Sequence, residues 1–416
     1  MLLSKRSEMF LPDNWPSYFS RSKGCTVWDL DNQKYTDLSI MGIGTNILGY
    51  GHAKVDKAVS ETISNGNMST LNCPEEVYLA EALVELHDWS DMVRFARTGG
   101  EANSIAIRIA RAATGREVVA VCGYHGWHDW YLASNLSDSN SLEEHLLPGL
   151  LPKGVPSSLK GTVIPFNYND IGTLEDIVAK NSLAAIKMEV QRNSPPKPDY
   201  LQSIRNLCDK HQIVLIFDEC TSGFRETNGG LHKKYGVNPD IAMFGKALGN
   251  GYAITAIIGR ECVMQAAQNT FISSTFWTER IGPTAGIATL REMEVEKSWH
   301  TITEQGKKVQ KLWKDIATQN SLPLKVSGIP ALSSFSFDCP EDNLYKTYFT
   351  QEMLKRSYLA SNRCYLCTEH TDEVINAYSH HFNEVLEQIA YFYKSGEDIK
   401  QHLDGPVCHE TFARLN

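Results

Sequence analysis

Ile213-Val-Leu-Ile-Phe-Asp-Glu-Cys-Thr-Ser-Gly-Phe-Arg225 is the stretch that decides the fold. Five apolar residues run without alternation into Asp218 and Glu219. A strand with one face in water alternates, whereas a strand covered on both faces reads as a continuous apolar run. Four more runs of this kind lie along the chain: Val118–Gly123, Leu183–Glu189, Ile241–Phe244 and Ile254–Gly259. Helical patterns separate them. The alternation predicts an α/β architecture, a mostly parallel sheet sandwiched by helices. Two carboxylates at the carboxyl end of a buried strand stand where such sheets bind ligands. The plainer use of the same pair is to cap a following helix.

Both ends of the chain read differently. Cys25–Asp37 alternates around Asp31-Asn32-Gln33, which predicts a hairpin. Beyond residue 300 the pattern is polar and helical, interrupted by strand-like runs at Ala331–Phe337 and Ser357–Ala360. The expected organisation is a large domain over 51–300 and a smaller α+β domain built from 1–50 and 301–416. A net charge of −9 argues against a broad nucleic-acid surface. No apolar run reaches the length of a membrane-spanning helix. The opening MLLSKRSEMF lacks the apolar core of a secretory signal, and ten cysteines are scattered without pattern. A reduced, cytoplasmic protein is the expectation.

Three further segments could carry chemistry. Thr98-Gly99-Gly100 precedes a helical pattern in which Ala102, Ile105, Ala106, Ile109, Ala110 and Ala113 share a face, and Gly115 ends it. A glycine turn at a helix N-terminus offers backbone N–H groups and a positive dipole end to a phosphate; taken alone it is also an ordinary loop-to-helix junction. Lys246 lies among glycines and apolar residues in Phe244-Gly-Lys-Ala-Leu-Gly-Asn-Gly251, where desolvation would free an amine for nucleophilic or base chemistry. Tyr124-His125-Gly126 follows the strand Val118–Gly123, and an aromatic ring there can stack on a planar ligand.

Taken together and in this order, these segments resemble the fold-type I pyridoxal-phosphate transferases, and among them the class III aminotransferases of the glutamate-1-semialdehyde aminomutase-like branch. The resemblance runs from about Tyr18 to about Ala390. Thr98–Ala102 is similar to the family's phosphate turn and Tyr124–Gly126 to its ring-stacking motif. Asp218–Arg225 resembles its Asp-Glu-Val-x-x-Gly-Phe-Arg segment, and Phe244–Gly249, with Lys246 28 residues past Asp218, its cofactor-lysine motif. Ser274-Thr275-Phe276 resembles the segment whose threonine reaches the neighbouring subunit's cofactor phosphate.

The resemblance implies roles. Lys246 would hold pyridoxal 5′-phosphate covalently and then shuttle the substrate proton. Asp218 would pair with the ring nitrogen. Gly99 and Gly100 would bind the phosphate, Tyr124 and His125 would belong to the cofactor pocket, and Cys220 would lie against the second ring face. Thr275 would act across an obligate homodimer with shared active sites, and Ser39 would sit in a substrate-side loop. The reaction would move an amino group from an amino-acid donor, glutamate in the first place, to an aldehyde or ketone; no metal is expected.

Departures from the family pattern bear on substrate. Phe276-Trp-Thr-Glu-Arg280 replaces Leu-Ser-Gly-Asn-Pro, which puts Trp277 and Arg280 at the substrate rim. There Arg280 would bind an acceptor carboxylate or simply pair with Glu279 or across the dimer. The segment Ser361–Thr371 is shorter than in the aminomutases and lacks their glutamate. Glutamate-1-semialdehyde 2,1-aminomutase is therefore the alternative rather than the first reading, and members with such changes resemble enzymes of amino-sugar and surface-polysaccharide pathways. Two unrelated readings are weaker. Gly42-x-Gly44 with Gly49 misplaces the third glycine of a dinucleotide fingerprint. Cys364, Cys367 and His370 fall one ligand short of a closed zinc site.

Overall fold

The computed structural model describes residues 5–137, 150–191 and 193–409. The chain divides into two units: one spans Lys54–Glu292, and the other draws on the chain up to Ala53 and again from Met293.

The Lys54–Glu292 unit is organised on a seven-stranded sheet. Its strands in chain order are β1 (Met92–Ala96), β2 (Val118–Cys122), β3 (Val163–Pro165), β4 (Leu183–Met188), β5 (Val214–Asp218), β6 (Ile241–Phe244) and β7 (Thr255–Gly259). Their order across the sheet is β1-β7-β6-β5-β4-β2-β3. β2 to β6 run parallel, and β7 is antiparallel to both β1 and β6. Every residue of β4, β5, β6 and β7 is buried, as their unbroken apolar runs require.

All five predicted runs of this unit are strands. β1 and β3 were not read from the sequence, for physical reasons. β1 is an edge strand in which four of five residues are only half-buried and Arg94 interrupts the apolar run. β3 has three residues and ends in Pro165, which the opposite sheet edge tolerates.

The helix Gly99–Thr114 lies against the sheet core through Ala102, Ile105, Ala106, Ile109 and Ala110, all buried. Burying an isoleucine of this kind contributes about 1.5–3 kcal/mol. Ala113, expected on the same face, is exposed because the last turn emerges from the core. Thr98 and Glu101 form a reciprocal capping box at the start, and Gly115 ends the helix at φ +65°.

The second unit holds two small antiparallel-rich sheets. Thr26–Asp29 and Lys34–Asp37 form the predicted hairpin, flanked by Phe19–Lys23 on one side and by Tyr358–Leu359, in parallel, on the other. Leu332–Phe337 is the centre of a three-stranded sheet with Leu324–Ser327 and Arg363–Tyr365, two strands that were not expected. No helix among the described residues is long and apolar enough to cross a membrane.

Candidate active site

The carboxyl ends of β2, β5 and β6 and the N-terminus of the Gly99 helix converge in the Lys54–Glu292 unit. A Cβ built on Gly99 would lie 3.9 Å from Cys220 Sγ, and one on Gly245 3.5 Å from the same sulfur. Cys220 therefore touches the glycine turn on one side and the residue before Lys246 on the other. Gly126, at φ +99°, closes the Tyr124 loop onto the turn, with its Cβ position 3.4 Å from Gly100 Cα.

Gly99 and Gly100 are the first two residues of the helix. The Glu101 N–H is taken by Thr98 Oγ1, and the Ala102 N–H by the Thr98 carbonyl. Among the described residues no acceptor faces the Gly99 and Gly100 N–H groups, so this helix start presents two free donors. Gly100 has no room for a side chain: a Cβ would come within 2.7 Å of His128 Nε2, and the ring is fixed by a 2.6 Å hydrogen bond between Nδ1 and Ser104 Oγ.

Asp218 ends β5, fully sequestered. Its Oδ1 accepts the Cys220 N–H at 3.2 Å, and its Oδ2 lies 2.9 Å from His125 Nδ1 and 3.7 Å from Lys187 Nζ. Burial pushes the carboxyl up, but the Lys187 charge and the His125 hydrogen bond outweigh it and hold it well below the usual carboxylate range. The site thus contains a fixed anion. Burial, reinforced by Lys187, draws His125 below the ordinary imidazole value against the pull of Asp218. Burial, followed by the Asp218 charge, drives the Cys220 thiol well up, so it is a neutral, small, apolar group.

Lys246 follows β6 in a left-handed conformation, φ +43°, and its Nζ donates to Thr221 Oγ1 at 2.8 Å. That bond ties the amine to the loop that begins at Asp218. Tyr124 is half-buried, and its N–H donates to Glu189 Oε2 at 3.1 Å.

Glu219 has a separate task. Its two oxygens accept from Ser222 Oγ, the Leu231 and His232 N–H groups and His232 Nδ1, at 2.7–2.9 Å. It folds the loop that carries Cys220 and Thr221. The next helix, His232–Tyr235, starts beyond this loop, and Glu219 satisfies the N–H groups at its start; Asp218 caps no helix among the described residues.

The remaining predicted residues lie elsewhere. Thr275 opens a short turn, Thr275–Thr278, and is exposed; its hydroxyl makes no hydrogen bond among the described residues. Trp277 packs its ring against the apolar core, with a buried indole N–H that has no acceptor among the described residues. Arg280 requires a correction. It does not pair with Glu279. Nε and Nη2 grip Glu75 at 3.1 and 2.6 Å, and Nη1 donates to the Gly66 carbonyl at 3.3 Å. Glu279 pairs instead with Arg97 Nε at 2.7 Å. Arg97 Nη2 also donates to the Trp277 and Glu279 carbonyls, so these arginines fasten the loop.

Ser39 belongs to the other unit. It is buried, its N–H donates to Asp37 Oδ1 at 2.9 Å, and its hydroxyl has no partner among the described residues. In the same unit the Cys367 N–H donates to His370 Nδ1, and His370 Nε2 donates to the Asp37 carbonyl, which commits both ring nitrogens to backbone.

Sequence reasoning missed Lys187, Glu189, Thr221 and Arg97. For Lys187 there was a signal. A lysine inside a continuous apolar strand must find a charge partner, because burying an unpaired ammonium is prohibitively costly.

A family model described as aminotransferase class III matches residues 12–361. The chain is 34% identical over 387 residues to a 3-aminobutyryl-CoA aminotransferase from Cloacimonas acidaminovorans, covering 89% of this chain and 88% of that protein. It is 30% identical over 398 residues to a glutamate-1-semialdehyde 2,1-aminomutase from Methanocaldococcus jannaschii, covering 90% and 92%. The fold matches the pyridoxal-phosphate internal aldimine form of the FumI protein from Sphingopyxis sp. MTA144, with a TM-score of 0.83 and 23% identity over 94% of this chain and 93% of that one. The chain therefore belongs to the class III aminotransferases and is a pyridoxal-phosphate-dependent enzyme of fold type I, acting on a small-molecule amino donor and acceptor.

Proposed function

We propose that the cluster around Cys220 is the active site of an intermolecular aminotransferase, with Lys246 as the cofactor lysine. The observation that carries this reading is the meeting of a buried anion, a tethered amine and two free helix N–H groups at one place. The residues fit pyridoxal phosphate on chemical grounds. Asp218 is an anion suited to a protonated ring nitrogen, Gly99 and Gly100 suit a phosphate, and Cys220 is an uncharged surface for a ring face. When bound, the cofactor supplies an electron-withdrawing ring that stabilises negative charge at the substrate's amino-bearing carbon.

The chain's own residues do the rest. Lys246 Nζ holds the cofactor and, once displaced, moves the proton at that carbon, with Thr221 Oγ1 orienting it. Asp218 keeps its charge at the ring nitrogen, and His125 fixes its Oδ2. Glu189 anchors the backbone of Tyr124, whose ring is assigned to stacking. Thr275 is assigned to the cofactor phosphate of a second subunit in a homodimer; its exposure and unused hydroxyl support that role. Ser39 and Trp277, each with an unused polar atom, are the substrate-side candidates. Arg280 is assigned to holding the loop.

The donor is an amino acid, glutamate first, and the acceptor an aldehyde or ketone, with keto-sugars included because of the altered 276–280 loop. Borohydride reduction of the loaded enzyme followed by peptide mapping should label Lys246. A donor among glutamate, glutamine, alanine and aspartate should bleach the cofactor's absorbance, and a separate carbonyl compound should restore it. A label on another lysine would sink the site assignment. Failure of every donor, with rapid isomerisation of glutamate-1-semialdehyde, would replace this reading by the aminomutase.

A further inference from the structure

Lys187 is a fully buried lysine on β4, next to the strand that ends in Asp218. Its residue pairs with Ile216, so its side chain shares a sheet face with Asp218 two positions on. Nζ stands 3.7 Å from Asp218 Oδ2 and 3.4 Å from Met243 Sδ on the other flanking strand. The same Oδ2 faces His125 Nδ1 at 2.9 Å. The charged and titratable groups around Lys187 are Asp218, Cys220, Glu189 and His125. A loop could supply the hydrogen bond that His125 makes without burying a charge. A lysine at the centre of the sheet carries a desolvation cost that needs a compensating role.

We propose that Lys187 is a positioning residue that acts through Asp218: it shares the carboxylate's charge with the cofactor's ring nitrogen and so weakens the site's hold on a ring proton. The inference rests on Asp218 being the partner of that nitrogen. The argument is Coulombic. A carboxylate already neutralised from one side attracts a second cation less, and the ammonium itself repels a protonated ring. In a site closed to water this interaction is little screened. Removing the Lys187 charge should therefore raise the affinity for a ring that can be protonated, relative to one that cannot. Burial draws the ammonium down and the Asp218 charge opposes it.

The probe is a pair of ligands: pyridoxal phosphate, and its 1-deaza analogue with carbon in place of the ring nitrogen. The ratio of their dissociation constants on one protein isolates the ring nitrogen, and general destabilisation cancels. In Lys187→Met the preference for pyridoxal phosphate should rise on the order of tenfold over wild type. Lys187→Gln should rise likewise, and Lys187→Arg should keep the wild-type ratio. If Met perturbs folding, Gln and Arg carry the test alone. An unchanged or lower ratio in the neutral variants overturns the proposal. Asp218→Asn separates the two levels. The preference should collapse toward unity there; if it does not, the assignment of Asp218 to the ring nitrogen fails. A collapse in Asp218→Asn without a rise in the neutral Lys187 variants overturns the role of Lys187 alone.

Discussion

Single residues in this chain are often held in one protonation state by geometry, and two histidines tie that geometry to stability. His87 Nδ1 donates to the Leu83 carbonyl at 2.8 Å, while its Nε2 accepts the Gly230 N–H at 3.0 Å. His370 has the mirror arrangement, Nδ1 accepting and Nε2 donating. Each ring must keep one bare nitrogen, so each must stay neutral. Burial pushes both imidazoles down to about 4. The unfolded chain binds those protons near pH 6.5, so below that pH protonation favours the unfolded state. Stability should be fully present above about pH 6.5 and fall as pH drops toward 4, by up to about 3 kcal/mol per histidine. Urea unfolding at pH 7 and pH 5 measures this, and equal midpoints would contradict it. Legibility at this scale was uneven. Asp218 and Lys246 announce themselves by standing at strand ends. Lys187 announces only that it needs a charge partner; that the partner is Asp218 is a cross-strand contact that no spacing within one segment encodes. The alternative pairing of Arg280 with Glu279 failed because its partner, Glu75, is distant in sequence.

Among the elements, the helix Gly99–Thr114 was read nearly whole, since its apolar spacing, its capping residues and Gly115 are local signals. β1 and β3 were lost because edge strands are set by neighbours rather than by their own pattern. The helix start also makes a quantitative claim. Gly100→Ala drives a methyl group into His128, whose ring Ser104 holds in place. Either the ring or the turn must shift, at a cost of about 1–3 kcal/mol. Cofactor affinity should fall roughly tenfold, each factor of ten being about 1.4 kcal/mol. Adding His128→Ala should restore much of the loss, because the clash is the shared term in that double-mutant cycle. Equilibrium titration with pyridoxal phosphate gives the four constants. A Gly100→Ala protein that binds as wild type would show that the turn is not where the phosphate sits.

At the scale of the whole molecule, the assignment of Thr275 to a neighbouring subunit predicts a specific complementation. A Lys246→Ala subunit mixed with a Thr275→Val subunit forms a heterodimer in which one site carries both changes and the other carries neither. Activity should return in part, relative to either parent alone. Proven subunit exchange without recovery would mean that each site is built within one chain. The architecture was legible because its central strands are buried on both faces and say so in sequence. The role of Thr275 was legible only through the family resemblance, because by its own pattern it looks like any exposed threonine. The backbone of Lys246 adds a last consequence. At φ +43° it occupies a region that costs a residue with a side chain roughly 1–2 kcal/mol and glycine almost nothing. Glycine at 246 should therefore melt higher than alanine at 246, the reverse of the usual order inside a turn of helix. At the residue proposed to hold the cofactor, the backbone thus favours a residue that has no amine to offer. Differential scanning calorimetry of Lys246→Gly beside Lys246→Ala tests this, and a higher melting point for alanine would refute it.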